Sequence, residues 1–282
     1  MSENGRNRSE GWRHAKLSGH SNEELVKELL DNDKQIADDF LVRINCPNQK
    51  IKQTSIGGLH ETNVLGVTGK KTKSKTDLKI LLENGSTKNI SIKKSLSGQV
   101  YFVRAGNFIE VFEKQFKKKI PEDVKRAIKL FWAEADDALE IIEKFADKTD
   151  KKNYEQQIHH HSLNATTLKN YDKKLYDALL SWFENNIYEL TKLAFTMGAA
   201  KDSSEWSEFV WYINLLGEDD TDEIFDIEDI CKIAKKYSKT ETYYGSTNGG
   251  TTIQLPFGFV QWHQQQLQFH HQYRKIKDLL NR

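Results

Sequence analysis

Apolar and polar positions alternate over two short segments that flank an Asn-Gly pair at residues 84–85. The first segment contains the apolar run Ile-Leu-Leu, and the second reads Ile-Ser-Ile-Lys. Such segments are typical of β-strands, and an Asn-Gly pair tolerates the positive φ angles of a tight hairpin turn. The pattern therefore predicts a β-hairpin over residues 76–95, with Asp77 opening the first strand and Lys93 ending the second.

Most of the remaining pattern is helical. Ser21 and Glu24 form a capping box that predicts a helix through Phe40, after a polar lead-in over residues 1–16. Pro121 and the acids behind it predict the start of a long amphipathic helix, which runs to about residue 146. The same periodicity predicts further helices over residues 107–119, 166–197, 203–216 and 226–237.

The C-terminal part changes character again, because a glycine-rich loop from Gly245 leads into β-type residues and then into a stretch dense in Gln, His and aromatic residues. A strand is also predicted over residues 99–103. The order of elements predicts one elaborated α/β domain. Its parts are a catalytic core over residues 1–120, a helical block over residues 121–240 and a β-rich C-terminal segment over residues 241–282.

Composition excludes several classes of protein. The 282 residues can bury a sizeable core, and no apolar run is long enough to cross a bilayer. Cys46 and Cys231 form no CxxC pair, so neither a disulfide framework nor a zinc ribbon is indicated. The polar N-terminus lacks the apolar segment of a secretory signal, and we expect a cytoplasmic protein.

Charge is distributed unevenly although the formal net charge is only +1. Residues 1–130 carry 25 lysines and arginines against 16 acids, a net charge of +9, and the remainder carries 17 against 25, a net charge of −8. The basic part contains the hairpin and the lysine tracts at residues 70–75 and 117–119. A positive surface of this kind suits a polyanionic substrate such as DNA or RNA, whereas the alternative is a set of merely solvated lysines.

The predicted hairpin brings a carboxylate and an ammonium group to one end of a sheet. This pairing can hold a divalent cation and activate a water molecule beside a phosphodiester. A simple surface ion pair between Asp77 and Lys93 is the alternative interpretation.

The hairpin resembles the PD-(D/E)XK nuclease superfamily, in particular type II restriction endonucleases. Thr76-Asp77 matches the first element of that motif, and Ser91-Ile92-Lys93 matches the second except at Ser91, where the family usually has Glu or Asp. The resemblance implies a restriction-endonuclease-like mixed central sheet flanked by helices, here with a large helical insertion. It also implies catalytic roles for Asp77, Ser91 and Lys93, and Mg²⁺ as the cofactor.

Ser91 leaves the implied metal site one carboxylate short, because hard cations gain most from anionic oxygens. The family often takes an additional Glu from a preceding helix, and the stretch at residues 19–24 offers Glu23 and Glu24. We favour Glu23, since Glu24 has a capping role, and keep Glu24 as the alternative carboxylate. The predicted metal ligands are therefore Asp77, Glu23 and the backbone carbonyl of Ile92.

Polar side chains after the hairpin and near the C-terminus are candidates for DNA contact. Lysine and serine at strand ends bind phosphates, and Gln can read adenine in the major groove. These candidates are Lys94, Ser95, Ser97, Gln99, Arg104, Asn107, Gln261, His263, Gln264 and Gln268. Loop solubility, and for the C-terminal set an exposed polar helix, are the alternatives.

Taken with the resemblance, these residues predict a Mg²⁺-dependent type II restriction endonuclease that cuts double-stranded DNA at a short site and leaves a 5′-phosphate and a 3′-hydroxyl. A functionally paired DNA methyltransferase is the expected partner. Palindromic sites favour a two-fold dimer, with a monomer as the alternative. The other functional interpretations are a repair or mismatch nicking nuclease and a non-catalytic DNA-binding protein on a decayed nuclease fold.

One histidine run falls outside this interpretation. The side chains of His159, His160 and His161 do not share a helix face, so the sequence does not favour a zinc site there.

Overall fold

The computed structural model describes residues 8–57, 63–217, 220–243, 250–263 and 265–282. Over these residues the helices are α1 (Arg8–Asn32), α2 (Lys34–Arg43), α3 (Ala105–Phe116), α4 (Glu122–Phe131), α5 (Ala138–Phe145), α6 (Lys151–His160), α7 (Ala165–Tyr171), α8 (Lys173–Asn185), α9 (Ile187–Lys192), α10 (Ile227–Lys236) and α11 (Tyr273–Leu280), with a π-helical turn at Leu193–Met197 and a 3-10 turn at Ser203–Glu205. The strands are β1 (Ile51–Ile56), β2 (Val64–Leu65), β3 (Lys71–Thr72), β4 (Leu78–Leu82), β5 (Thr87–Lys93), β6 (Ser97–Val103), β7 (Phe209–Ile213), β8 (Asp222–Asp226), β9 (Glu241–Tyr243), β10 (Thr252–Leu255), β11 (Gly258–His263) and β12 (Gln266–Gln272).

The first large sheet has the strand order β1-β4-β5-β7-β8. Strands β5 and β7 are parallel, and the other neighbours in this sheet are antiparallel. A mixed sheet with helices against it confirms the predicted α/β fold class. Strand β5 is central in this order. Its parallel neighbour β7 follows only after a long crossover through residues 94–208, as parallel pairing requires.

The predicted hairpin is β4 and β5, paired antiparallel with Leu78 opposite Ile90. Its turn differs from the prediction in one respect, because only Gly85 takes a positive φ, of 84°. The Gly85 N–H donates to the Leu82 carbonyl at 2.9 Å, which makes residues 82–85 a turn closed by a glycine bulge. The glycine is what this turn requires, and it fixes the register that sets Asp77 against the end of β5.

The predicted helix over residues 203–216 is wrong, because this segment contains β7. The run Phe-Val-Trp-Tyr-Ile is buried at every position, and its side chains alternate between two apolar clusters on opposite faces of the sheet. A strand covered on both faces lacks the apolar–polar alternation that identifies a half-exposed strand, so its apolar pattern is ambiguous. The predicted helical block therefore supplies two strands, β7 and β8, to the mixed sheet.

The predicted start of the first helix is also wrong. Helix α1 begins at Arg8, within the predicted lead-in, so Ser21 lies inside a helix rather than capping one. The predicted single helix through Phe40 is interrupted at Asp33, whose carboxylate accepts from the N–H groups of Gln35 and Ile36 and caps α2.

The long helices predicted after residue 120 are divided. Residues 121–146 form α4 and α5, with Ala133 at a φ of 61° between them. Residues 166–197 lie in α7, α8, α9 and the π-helical turn. Short polar residues set several of these boundaries, because their side chains cap the first turn of a helix. The caps are Asn164 for α7, Asp172 for α8 and Asp226 for α10.

The second large sheet is antiparallel, with the order β6-β12-β11-β10-β9. It confirms the predicted β-rich C-terminal segment and joins it to β6 of the N-terminal part. The structure adds α11 after the last strand, where Tyr273, Ile276 and Leu279 are buried at helical spacing.

Two apolar clusters cover the faces of the mixed sheet. The smaller one lies between α1, α2 and the sheet, and Phe40 packs on Trp211 with ring centroids 5.0 Å apart. The larger one joins the other face to the helices after residue 104 and to the second sheet. No helix in the described part of the chain has the length and apolar character that a membrane span needs.

Candidate active site

The carboxylate and the ammonium group predicted to meet do meet. Asp77 directly precedes β4, and its N–H donates to the Ile90 carbonyl at 2.9 Å, which holds it against β5. The Lys93 Nζ lies 3.5 Å from Asp77 Oδ2 and donates to Ser91 Oγ at 2.6 Å and to the Ile92 carbonyl at 3.1 Å. Both charged side chains are about one-fifth exposed, so the pair faces a partly desolvated site.

Ser91 orients Asp77 in place of adding a charge. Its hydroxyl donates to Asp77 Oδ2 at 2.9 Å, and the Ile92 N–H donates to the same oxygen at 2.7 Å. Hydrogen bonds to the charged form of a carboxylate stabilise that form. The site thus has a fixed Asp77 carboxylate, whereas a Glu or Asp at position 91 would have repelled it.

Glu23 reaches this cluster from α1. It shares a helix face with Val26 and Leu30, which are buried in the smaller apolar cluster, so the same face carries Glu23 toward the sheet. The carboxylate is 15% exposed, and its Oε2 lies 3.3 Å from His20 Nδ1. Burial, and then the negative charge of Asp77, raise the pKa of Glu23 to about 8, with Lys93 acting in the opposite direction.

Asn22 fixes the position of α1 at the sheet. Its Nδ2 donates to the Ile213 carbonyl at 3.0 Å, and its Oδ1 accepts from the Leu215 N–H at 2.8 Å. Because β7 runs parallel to β5 with Tyr212 opposite Lys93, this end of β7 lies beside the end of β5. The buried amide therefore places the neighbouring Glu23 at the Asp77–Lys93 pair, while the side chain of Glu24 is exposed.

The oxygens gathered here suit a hard divalent cation. Asp77 and Glu23 supply two carboxylates, while the Ile92 carbonyl, the third predicted ligand, accepts from the Lys93 Nζ at 3.1 Å. Burial is the main cause of the raised pKa of Glu23, and the negative charge of Asp77 adds to it; a bound cation would offset both. Within the described ranges no group of three His, Cys, Asp or Glu residues could hold a metal ion, so water would have to complete the coordination of any ion here.

Lys75 is a neighbour that the sequence pattern counted only as part of a basic tract. Its Nζ donates to the Val100 carbonyl of β6 at 2.5 Å, and burial, followed by the charge of Lys93, lowers its pKa to about 7. Gly198, at a φ of 53°, gives this side chain room, since a Cβ there would lie 3.0 Å from Lys75 Cδ. Lys75 lies before β4, outside any strand, so its sequence spacing from Asp77 does not indicate this position.

His271 is a second neighbour that the pattern did not single out. It lies on β12, is only 2% exposed, and its Nδ1 shares a 2.9 Å hydrogen bond with the hydroxyl of Tyr212. Burial, followed by the charges of Lys93, His270 and Lys75, lowers the pKa of His271 to about 3. The ring is therefore neutral at pH 7, and this hydrogen bond joins the second sheet to the mixed sheet beside the site.

The low pKa of His271 predicts a dependence of stability on pH. The unfolded chain binds a proton on His271 below about pH 6.5 and the folded protein does not, so the free energy of unfolding falls as the pH is lowered from 6.5 toward 3. At pH 5 the expected loss from this group is about 2 kcal/mol, from about 1.4 kcal/mol per pH unit. The free energy of unfolding of His271→Gln, measured with urea, is expected to fall less between pH 7 and pH 5 than that of the wild type. The exposed His161→Gln serves as the control, and equal slopes in all three proteins would contradict the prediction.

The candidates for DNA contact divide into exposed and buried groups. The side chains of Ser95, Ser97, Gln99, Arg104, Asn107 and His263 are exposed, and that of Lys94 is half-buried. Gln261 is half-buried and its Nε2 lies 3.3 Å from His270 Nε2. Gln264 lies outside the described residues.

Gln268 does not face solvent, contrary to the expectation that it could reach DNA. It is 3% exposed, and its Nε2 donates to the carbonyl of His263 at 3.3 Å within the β11–β12 hairpin. Alternate residues of a strand point to opposite faces, so a run dense in Gln places only part of its amides outward. The exposed-helix alternative for this stretch is also wrong, because residues 258–263 and 266–272 are strands.

Two members of the lysine tract at residues 117–119 are engaged locally. Lys118 donates to Asn186 Oδ1 at 2.5 Å, and Lys119 pairs with Glu113 at 3.2 Å. These contacts fit a solvated helix end at least as well as a phosphate-binding patch.

No family model matches the sequence, and no curated protein matches it. The fold is similar to a crystal structure of the restriction endonuclease MspI in complex with its cognate DNA. That similarity has a TM-score of 0.39 and 14% sequence identity, and it covers 84% of this chain and 77% of that chain.

Proposed function

We propose that this protein is a Mg²⁺-dependent type II restriction endonuclease that hydrolyses double-stranded DNA at a short specific site. The observation that carries the proposal is the meeting of Asp77, Lys93 and Glu23 at the ends of β5 and β7. Helix α1 and the β4–β5 hairpin, which are distant in sequence, converge there and supply two carboxylates and an ammonium group, a set that suits metal-assisted phosphodiester hydrolysis.

In this mechanism Asp77 and Glu23 would hold the cation, and the Ile92 carbonyl would be a further, uncharged ligand. When bound, Mg²⁺ would neutralise charge on the scissile phosphate and favour a nucleophilic water. The hydrogen bonds from Ser91 and the Ile92 N–H keep the Asp77 carboxylate oriented for this role.

Lys93 is the group placed to handle the attacking water. Its Nζ is held by Ser91 Oγ and the Ile92 carbonyl, which fixes the ammonium group next to the carboxylates. It would orient the water, assist its deprotonation and stabilise the charge that develops on the phosphate. In-line attack then breaks the P–O3′ bond and leaves a 5′-phosphate and a 3′-hydroxyl.

DNA is the proposed substrate because the site lies in the part of the chain that carries a net charge of +9. Recognition of a palindromic site would favour a homodimer, and a host that makes this enzyme would need a methyltransferase to protect its own DNA.

Ser91 favours a second candidate, a non-catalytic DNA-binding protein with the same fold. A serine donates to Asp77 where a third carboxylate would bind metal, so the chain could have lost catalysis and kept the architecture. A nicking nuclease of the same superfamily is the third alternative.

Incubation with a supercoiled plasmid of known sequence, in Mg²⁺ and in EDTA, separates these functions. We expect discrete fragments in Mg²⁺ and none in EDTA, because only a site-specific endonuclease yields them. Open-circular DNA without fragments would indicate a nicking enzyme instead. Retarded but uncut plasmid in both buffers would indicate the non-catalytic binder and would overturn the proposal.

A further inference from the structure

A large polar cleft lies between the C-terminal end of α6 and the β11–β12 hairpin, away from the Asp77–Lys93 pair. Its volume is about 1120 Å³, and its walls include Arg104, His160, Trp262 and His263. This volume exceeds the roughly 300–1000 Å³ typical of a pocket for one small molecule. The cleft is therefore wide enough for part of a macromolecule.

The rings of His159, His160 and Trp262 pack together on one side of the cleft, which we call the Trp262 wall. His160 packs against Trp262 with centroids 4.8 Å apart and an interplanar angle of 57°, and His159 lies 4.8 Å from His160. Trp262 is itself packed against the larger apolar cluster, so the wall is held by the core. Burial, and the neighbouring His159 and His263, lower the pKa of His160, which keeps its ring neutral and able both to donate and to accept a hydrogen bond.

The charges in the cleft are mixed. Arg104 contributes a cation, and Glu134 and Asp136 contribute carboxylates. Glu134 is directed at the N-terminal turn of α3, because its Oε2 would lie 2.9 Å from a Cβ at Gly106. Arginine reads guanine, and carboxylates accept from cytosine, so donors and acceptors of this kind suit base edges better than a bare phosphate.

The cleft lies at one end of β6 and β12, and the other end of these two strands is next to the Asp77–Lys93 pair, because His271 bonds to Tyr212, which is opposite Lys93. Residues Gly98 and His271 pair near the catalytic end, and Val103 and Leu267 pair at the cleft end, where Trp262 is opposite Leu267. At about 3.3 Å per residue the two ends are roughly 15 Å apart. That is the length of about four to five base pairs of duplex at 3.4 Å per pair.

Strand β6 connects the two ends along the edge of the second sheet. The side chains of Ser97, Gln99 and Arg104 are exposed along it or directly after it. A duplex that follows β6 could therefore contact both regions at once.

We propose that this cleft is a second DNA-contacting site, in which Arg104, His160 and the Trp262 wall meet base edges about four to five base pairs from the cut. The inference rests on the proposed action on DNA. It assigns the internal histidine run to DNA recognition, and it gives His160 a partner in Trp262 that the sequence does not reveal.

Fluorescence anisotropy tests the inference with a labelled 30-base-pair duplex that the wild type selects from a random-sequence pool, in EDTA, so that no cleavage occurs. Arg104→Gln and His160→Ala are each expected to weaken binding about tenfold, the scale of losing one good base contact. Lys235→Gln removes an exposed positive charge on α10 that does not line the cleft, and it is expected to bind like the wild type. Arg104 is exposed, so its replacement tests the cleft even if His160→Ala unfolds.

Other outcomes separate this inference from the proposed function. If the wild type and both cleft variants bind DNA equally well, the inference is wrong and the endonuclease proposal stands. If Lys235→Gln weakens binding as much as Arg104→Gln, the effect is one of general charge and the cleft is not a specific site. If the wild type neither binds nor cuts DNA, both proposals fail.

Discussion

Replacing Asp77 by Asn is expected to abolish Mg²⁺-dependent cleavage while the fold and the binding of DNA persist. Asn keeps the shape of Asp and one oxygen that can accept from Ser91 and the Ile92 N–H, so the hairpin loses little packing. What disappears is the negative charge that a hard cation requires. Replacing even the groups that orient metal ligands typically costs about 10- to 100-fold, so we expect the loss of a direct ligand to lower the cleavage rate more than about 10²-fold.

Glu208→Gln is a matched control for this experiment, because Glu208 is also a carboxylate bonded to β5. It accepts from Lys88 Nζ at 2.9 Å and from the Asn89 N–H at 3.1 Å, at the opposite end of the strand from Lys93. The control should cut plasmid at the wild-type rate. Thermal unfolding of both variants shows whether they fold, and a folded Asp77→Asn protein with full activity would remove Asp77 from the mechanism.

The Asp77–Lys93 pair could be predicted because it depends on local sequence. Sixteen residues separate the two, and the turn at Gly85 fixes their register without help from the rest of the chain. The sequence also placed Ser91 in the motif, but it did not predict the hydrogen bond from Ser91 to Asp77.

The third member of the site was only partly accessible to sequence reasoning. The spacing of Glu23, Val26 and Leu30 places a carboxylate on the buried face of a helix, a local signal that favours Glu23 over Glu24. The contact that brings this helix to the sheet is not local, because Asn22 bonds to Ile213, 191 positions along the chain. The wrong helix prediction for β7 has the same cause, because the residues that pack on both faces of this strand come from distant segments. The bond of His271 to Tyr212 likewise joins two sheets, and that of Lys75 joins the segment before β4 to Val100 of β6.

Replacing Glu23 by Gln is expected to reduce cleavage strongly and to raise the Mg²⁺ concentration needed for half-maximal rate, because one of the two carboxylates that the described residues place at the site would be lost. Glu24→Gln is the matched control, since it changes the adjacent residue, whose side chain is exposed. We expect the Glu23 variant to lose more than about 10²-fold in rate at a fixed Mg²⁺ concentration and the Glu24 variant to stay near the wild type. The reverse order would make Glu24 the ligand.

A second measurement on the same pair does not depend on cleavage. The pKa of Glu23 is raised to about 8 in the folded, metal-free protein from its ordinary value of 4.5, so the folded state binds more protons than the unfolded chain between these two pH values. The contribution of Glu23 to the free energy of unfolding in EDTA should therefore fall as the pH rises from 4.5 to 8 in the wild type and in Glu24→Gln, opposite in sign to the contribution of His271 below pH 6.5. Gln at position 23 cannot titrate, so the difference in free energy of unfolding between the wild type and Glu23→Gln should shift against the wild type as the pH rises through this window. Parallel profiles would show that Glu23 is not buried against Asp77, and the three-part site would then lose the carboxylate that Ser91 fails to provide.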